Sequence, residues 1–203
     1  MRCLYCDSQI EKYNLYSLFI EDDLLCNECR KKLIIKKRII DVGEYKVETF
    51  YEYDEMFKSL LLQYKECYDE VLSKVFLYKL SDYINFKYHD YTIVFIPSSE
   101  EKLRLRGFNH LSLIFNDIKL SKNECLVMKK QLIQEGKNRS ERISMIDNYH
   151  YTGNQLNKVL VVDDVVTTGS SFLGAFKALN GHCRLMKGLS LARVEKSKKT
   201  LSF

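Results

Sequence analysis

The chain has 203 residues and a mass of 24.0 kDa; 46% of the residues are hydrophobic and 29% are charged. This composition excludes a disordered or collagen-like chain, and no stretch approaches the roughly 20 apolar residues of a transmembrane helix. The N-terminal residues lack the apolar core of a secretion signal, so we expect a cytoplasmic protein without membrane insertion. The net charge of +5 permits phosphate-rich partners without requiring them.

Four of the seven cysteines form two Cys-x-x-Cys pairs near the N-terminus. Their spacing is typical of a structural site in which four thiolates surround Zn²⁺ and leave no open position for catalysis. Disulfides are the alternative, and a cytoplasmic chain disfavours them. We therefore predict a zinc ribbon over residues 1–42 that binds its metal through Cys3, Cys6, Cys26 and Cys29. The other cysteines, Cys67, Cys125 and Cys183, are predicted to be small core residues.

A basic segment follows the second cysteine pair. Such runs are usually solvated surfaces, but beside a zinc ribbon they also suit contact with a nucleic-acid backbone. The ribbon aromatics Tyr5, Tyr13, Tyr16 and Phe19 either stack on bases or form a small core, and both interpretations stay open. The candidate nucleic-acid residues are Lys31, Lys32, Lys36, Lys37 and Arg38. A second basic cluster contains Arg193, Lys196, Lys198 and Lys199.

The rest of the chain, residues 43–203, is predicted to be an α/β domain. Alternation predicts a strand over Tyr45–Tyr53, and Asp54 is a candidate N-cap for one long helix, or for two that break near residues 66–69. Further strands are predicted at 92–96, 125–128, 159–162 and 184–191, with helices over 107–118 and 171–180 and a long connection over 129–154. Alternating strands and helices indicate a parallel sheet flanked by helices.

The most informative stretch is residues 159–171, in which a buried strand is followed by Asp163 and Asp164 and then by a Thr-Thr-Gly-Ser-Ser loop. Ligands of open α/β sheets bind at the carboxyl ends of the strands, and a loop that opens a helix binds anions. Paired acids suit the vicinal hydroxyls of a sugar. An ordinary strand–helix junction is the alternative, but unpaired buried carboxylates at such a junction cost stability.

This stretch resembles the phosphoribosyl pyrophosphate (PRPP) motif of type I phosphoribosyltransferases. The resemblance implies that the acids contact the ribose hydroxyls and that the loop holds the 5′-phosphate, with Mg²⁺ accompanying PRPP. The implied PRPP-binding residues are Asp163, Asp164, Val165, Val166, Thr167, Thr168, Gly169, Ser170 and Ser171.

Other stretches are similar to the ComF family of phosphoribosyltransferase-like proteins, and the four N-terminal cysteines are also a feature of that family. Residue His110 stands where the family usually has Gln. The matching residues are Ile96–Ser99, Arg104–Asn109, Tyr53, Leu61–Lys65, Asp69, Gln134 and Arg139–Arg142. The resemblance implies a type I phosphoribosyltransferase-like sheet preceded by a small zinc ribbon, and a cytoplasmic role in natural transformation, where incoming single-stranded DNA is received.

Within this resemblance, Arg104 and Arg106 are candidates for binding pyrophosphate, because guanidinium groups pair well with phosphate oxygens. Lys65 is a further candidate for the same anion, and Arg139 and Arg142 are candidates to close over the ligand. No role is assigned to the histidines, whose spacing does not suit a metal site.

Two hypotheses follow. One is a competence-type protein that binds single-stranded DNA, carries a PRPP pocket and contacts other DNA-processing proteins. The other is an active phosphoribosyltransferase whose acceptor the sequence does not identify.

Overall fold

The computed structural model describes residues 1–10, 23–128 and 148–195. Several residues with a predicted role lie outside these ranges: Tyr13, Tyr16, Phe19, Gln134, Arg139, Arg142, Lys196, Lys198 and Lys199. The helices are α1 (Asn27–Lys32), α2 (Glu55–Glu66), α3 (Ser73–Phe76), α4 (Ser81–Lys87), α5 (Glu100–Arg106), α6 (His110–Ile114) and α7 (Ser170–Leu179). The strands are β1 (Arg38–Val42), β2 (Tyr45–Glu52), β3 (Thr92–Phe95), β4 (Lys122–Asn123), β5 (Leu126–Met128), β6 (Tyr149–Tyr151), β7 (Leu156–Val166) and β8 (Cys183–Arg193).

The main sheet has the strand order β1-β2-β8-β7-β3-β4. Strands β1 and β2 pair antiparallel, and every other pair in this sheet is parallel. Strands β5 and β6 form a separate antiparallel pair. The predicted α/β class, with a mostly parallel sheet flanked by helices, is confirmed.

The central strand β7 divides the hydrophobic core between the two faces of the sheet. Leu160 and Val162 belong to one cluster, which α2, α3, α4 and α6 also form, whereas Val159 and Val161 belong to a second cluster that includes residues of α7. This alternation follows from the two-residue period of a strand. A strand that is apolar on both faces is typical of the middle of a parallel sheet.

Several predicted boundaries agree with the structure. The Asp54 carboxylate accepts a hydrogen bond from the Phe57 amide at 2.8 Å, so it caps α2 as predicted. Helix α2 ends at Glu66, and a short 3-10 turn follows at Glu70–Leu72 before α3. The predicted helical region is therefore broken at the expected place.

Other elements differ from the predictions. The residues around Arg104 form helix α5 and not a loop, and Gly107 ends that helix. The predicted helix over 107–118 shortens to α6, because the Asn109 side chain accepts the amides of Leu111 and Ser112 and so begins the helix there. Cys67 is exposed and not a core residue, whereas Cys125 is buried.

The N-terminal residues pack on the same core as the helices of the α/β part. Cys29 and Leu33 are buried in the cluster that contains α2 and α3, and β1 pairs with β2 across the predicted boundary at residues 42–43. The division into a ribbon over 1–42 and a domain over 43–203 stays a prediction. Within the described ranges, no helix has both the length and the apolar character needed to cross a bilayer.

Candidate functional site

A crevice lies between the carboxyl ends of β7 and β3. These neighbouring strands continue in opposite directions, because β7 leads through α7 to β8 on one side and β3 leads through α5 and α6 to β4 on the other. The Ile96 amide donates to the Val162 carbonyl at 3.0 Å, which is the last contact between the two strands before they separate. Such a switch point is where open α/β sheets bind ligands.

The two acids lie where β7 has a strand neighbour on one side only. Pairing with β3 ends at Val162, whereas pairing with β8 continues to Val166. The sequence predicts acids that follow the strand, but both lie inside β7, on the flank that β3 leaves open. Successive strand residues point to opposite faces, so Asp163 and Asp164 have different surroundings.

Two side chains from helices α2 and α6 bind the Asp164 carboxylate. The His110 Nε2–H donates to Asp164 Oδ2 at 2.7 Å, and the Lys65 ammonium forms an ion pair with the same oxygen. Burial acts to raise the pKa of Asp164, but the hydrogen bond from His110 and the charge of Lys65 hold that pKa well below its usual range. Asp164 is therefore an ionised carboxylate with partners inside the protein.

The surroundings of Asp163 are different from those of Asp164. Its Oδ1 accepts a hydrogen bond from the Asp164 amide at 2.9 Å. Burial, followed by the negative charge of Asp164, raises the pKa of Asp163 to about 8. Asp163 is a lining residue of two cavities.

The loop after β7 surrounds a small cavity of about 60 Å³ lined by Asp163 and residues 165–172. Gly169 has a φ of +81° and is the N-cap of α7, so the first amides of this ten-residue helix face the loop. The Thr168 and Ser170 hydroxyls lie 2.9 Å apart. Amides at a helix N-terminus together with hydroxyl donors suit a phosphate group.

A larger cavity of about 250 Å³ adjoins the acids. Of the predicted pyrophosphate residues, Lys65 and Arg106 line it, whereas Arg104 lies exposed on α5 and is not among the lining residues. Arg106 also contacts Glu66 at 3.5 Å. Lys102, which has no predicted role, lines the same cavity, and so do Ser98 and Ser99 from the Ile96–Ser99 stretch that resembles the ComF family.

His110 was given no role by the sequence analysis, yet it lies in the wall of this cavity with only 4% of its surface exposed. Its position in the Arg-Gly-Phe-Asn stretch that resembles the ComF family was the available signal. Burial lowers the pKa of His110, although the Asp164 carboxylate opposes this shift. The ring therefore contacts Asp164 as a neutral donor.

The four N-terminal cysteines lie together, with their sulfur atoms all within 4.8 Å of one another. The sulfurs of Cys6 and Cys26 are 3.7 Å apart. Four sulfurs at about 2.3 Å from one zinc ion are spaced about 3.8 Å from each other, so the cluster fits a tetrahedral metal site. Hydrogen bonding to Ser8 lowers the pKa of Cys6 and brings that of Cys26 to about 6, toward the thiolate form that binds metals, whereas burial raises the pKa of Cys29.

The candidate nucleic-acid residues are all exposed but do not share one element. Lys31 and Lys32 end α1, Lys36 and Lys37 lie in the connection that follows, and Arg38 begins β1. Three of them have intramolecular contacts: Lys31 with Glu28 at 2.9 Å, Lys36 with Glu52 at 2.8 Å, and Lys37 with the Tyr83 ring at 3.2 Å from its centroid.

No family model matches the chain. The competence protein ComFC of Streptococcus pneumoniae is 25% identical over 221 residues, which span 95% of this chain and 100% of that protein. The competence protein ComFC of Bacillus subtilis is 24% identical over 87% of this chain and 88% of its own length. The crystal structure of an adenine phosphoribosyltransferase from Leishmania tarentolae aligns with 77% of this chain and 94% of its own, at 10% identity and a TM-score of 0.35.

The two ComFC relatives align with 95% and 87% of this chain, and the structure has the mostly parallel α/β architecture that the sequence motifs predict. The chain is therefore similar to the competence protein ComFC over most of its length.

Proposed function

We propose that this protein acts in competence, binds PRPP or a related phosphoribosyl ligand in the crevice between β3 and β7, and binds single-stranded DNA through its basic segment. The observation that carries the ligand proposal is the convergence of Asp163, the Thr167–Ser171 loop and a cavity lined by cations at one switch point. The loop suits a phosphate, Asp163 suits sugar hydroxyls, and the cations of the cavity suit pyrophosphate.

The order of these groups along the crevice suits the order of groups in PRPP. The small cavity of about 60 Å³ offers helix amides and hydroxyls to the 5′-phosphate. Asp163 lines this cavity and also the larger one, so it lies where the ribose hydroxyls would join the two ends of the ligand.

The charge in the larger cavity suits pyrophosphate. Lys65, Lys102 and Arg106 line it, and Asp164 offsets only one of these cations. Even with Asp163 ionised as well, the three cations outnumber the two carboxylates that line the cavity. The wall is therefore net positive before a ligand binds.

A magnesium ion fits as a partner of the ligand more than as a resident of the protein. Across the residues that the structure describes, the cysteine cluster is the only group of three or more candidate metal-binding side chains. Mg²⁺ is commonly held by one or two carboxylates together with phosphates and waters, and here Asp163 would supply the carboxylate. The bound ion would neutralise pyrophosphate charge and orient the ligand.

Single-stranded DNA binding is supported by the surface around the basic segment. Ile34 and Ile35 are 57% and 38% exposed, so the lysines do not simply solvate a buried apolar face. Exposed cations interleaved with exposed apolar side chains suit the phosphates and bases of a single strand. The names of the two relatives support a role for this protein in competence.

An active phosphoribosyltransferase is the alternative. The unbroken set Asp163–Ser171 favours it, because a pocket kept only for binding does not need every member of the motif. Positioning and electrostatics would supply most of the rate, as an acceptor nucleophile bonds to the anomeric carbon of PRPP and pyrophosphate leaves that carbon. Release of pyrophosphate from PRPP on addition of candidate acceptors or DNA separates this alternative from binding alone.

Titration calorimetry with PRPP and Mg²⁺ tests the ligand proposal. Wild-type protein is expected to bind, and Asp163→Ala/Asp164→Ala is expected to show no measurable binding. Asp90→Ala is the matched control, because Asp90 lies beside the amino end of β3, away from the crevice, and pairs with Lys158. Thr168→Ala/Ser170→Ala provides a second test that leaves the buried acids intact. Equal affinity in wild type and both double variants overturns the proposal.

A further inference from the structure

The two acids of the crevice are not equivalent. Asp164 is 7% exposed, and one of its oxygens, Oδ2, receives both the His110 Nε2–H at 2.7 Å and the Lys65 ammonium. Within the described part of the chain, Asp163 contacts neither side chain in this way, and its Oδ1 accepts a main-chain amide. Adjacent residues of a strand point to opposite faces, which explains how neighbours in sequence acquire such different partners.

The proton on His110 is fixed by its neighbours. A carboxylate can only accept, so the nitrogen that lies 2.7 Å from Asp164 carries the hydrogen. The other ring nitrogen, Nδ1, lies 3.5 Å from the Ser98 hydroxyl and is left to accept. The ring thus adds a hydrogen bond to Asp164 without adding a second positive charge beside Lys65.

His110 is also tied to the helix that carries Lys65. The Tyr64 hydroxyl donates to the His110 main-chain carbonyl at 2.7 Å, and Tyr64 directly precedes Lys65 on α2. The start of α6, the end of α2 and the Asp164 carboxylate are therefore joined in one buried network. His110 is therefore linked to Lys65 in two ways, through the Asp164 carboxylate and through Tyr64.

We propose that His110 is a positioning residue of the ligand site. Together with Lys65 it binds the Asp164 carboxylate, and it holds the Lys65 ammonium in the cavity wall. Asp163 is then the acid that contacts the sugar hydroxyls. This inference rests on the proposed PRPP site and assigns unequal roles to its two acids. Gln, which the resembling family usually has at this position, can make the same donation through its amide.

Calorimetry with PRPP and Mg²⁺ on three histidine variants tests this role. His110→Ala is expected to weaken binding about tenfold, since it removes a hydrogen bond to a charged group. His110→Gln is expected to restore affinity to within about threefold of wild type, because the donor is retained. His89→Gln is the control, since His89 is exposed and lies before the amino end of β3. Wild-type affinity in His110→Ala, or an equal loss in His110→Gln, overturns the inference.

A second measurement does not depend on PRPP. Long-range ¹⁵N–¹H NMR spectra of the imidazoles are expected to show His110 as the Nε2–H tautomer in wild type and as a mixture of tautomers in Asp164→Ala. A His110 ring protonated on Nδ1 in wild type overturns the positioning role even if PRPP binds. If wild type binds no PRPP, the proposed function is overturned, and the NMR spectra alone then decide whether His110 holds Asp164.

Discussion

Gly169, in the loop after β7, packs directly against Val42 at the end of β1. A Cβ atom at Gly169 would lie 2.7 Å from Cγ1 of Val42 and 3.2 Å from Cγ2, closer than side chains tolerate. The candidate phosphate loop is therefore supported by the strand that follows the basic segment. The antiparallel pair β1–β2 at the edge of the main sheet thus contributes to the shape of the candidate site.

Replacing Gly169 with Ala is expected to destabilise the protein by about 2–5 kcal/mol. Part of this cost is the left-handed backbone, which disfavours a side chain by about 1–2 kcal/mol, and part is overpacking against Val42, worth about 1–3 kcal/mol. The free energy of unfolding, measured in urea, checks the prediction.

Gly181 provides the matched control for this change. It has the same φ of +81°, but nothing lies within 4 Å of a Cβ built there. Gly181→Ala should therefore cost only the backbone share, about 1–2 kcal/mol. The double variant Val42→Ala/Gly169→Ala should cost less than the sum of its two single changes. Equal losses in Gly169→Ala and Gly181→Ala would show that the contact with Val42 is unimportant.

The cysteine cluster is expected to bind one zinc ion per chain, and removal of the metal is expected to unfold residues 1–40. Cys26→Ser should leave less than about half an equivalent of metal, because three thiolates and water bind zinc more weakly than four thiolates. Elemental analysis of the purified protein gives the stoichiometry, and limited proteolysis reports the unfolding.

Cys67→Ser is the control for the zinc prediction. Cys67 is exposed and does not belong to the cluster, so this change should leave the metal content as in wild type. Wild-type protein that is folded over residues 1–40 without metal would contradict a structural role for zinc.

The elements that the sequence predicts correctly are those whose own residues have a strong pattern. The apolar run over 159–162 identified the central strand, and Asp54 identified the start of α2. Helix α5 was missed because its charged residues have no apolar period, although Ser99 caps it by accepting the Lys102 amide at 3.4 Å. Short polar helices depend on such caps and on tertiary contacts more than on periodicity.

The candidate site was predicted only where it is local in sequence. The acids and the loop share one motif, whereas His110 meets Asp164 across 54 positions of the chain. No spacing rule predicts such a contact, because it depends on how α6 packs against the sheet. Arg104 and Arg106 show the converse: they share one motif, but of the two only Arg106 lines the cavity.

Asp163→Asn is expected to stabilise the protein at pH 8 more than at pH 5. The pKa of Asp163 is raised to about 8 in the folded state, so the native protein retains a proton that the unfolded chain releases above about pH 4. The contribution of Asp163 to stability is therefore present below about pH 4 and is lost as the pH rises toward 8. Each unit of pKa displacement corresponds to about 1.4 kcal/mol. Urea unfolding at both pH values measures the difference.

Asp164→Asn is the contrasting variant. Burial opposes ionisation of Asp164, but His110 and Lys65 lower its pKa overall, so its contribution to stability is present above its unfolded pKa and is lost only in acid. This variant should be less stable than wild type at pH 5 and at pH 8 alike. The difference in the free energy of unfolding between Asp163→Asn and wild type should grow between pH 5 and pH 8. A difference that does not grow would contradict the raised pKa of Asp163.

Single-stranded DNA is expected to bind without sequence preference, and the affinity should fall steeply as the salt concentration rises. Each phosphate that a cation neutralises releases a counterion, so the slope of log affinity against log salt reports the number of contacts. Fluorescence anisotropy with a labelled oligonucleotide at several salt concentrations measures this slope. Alanine at all five basic-segment positions should flatten it: Lys31, Lys32, Lys36, Lys37 and Arg38.

A variant with the same change in net charge separates local contacts from the general effect of charge. Its five alanines replace exposed lysines outside the segment, so its salt slope should stay near that of wild type. PRPP binding should survive in the basic-segment variant, because its changes spare the residues that line the crevice. Equal slopes for wild type and the basic-segment variant, or no DNA binding by wild type, would contradict this surface. The control positions are Lys46, Lys58, Lys74, Lys119 and Lys177.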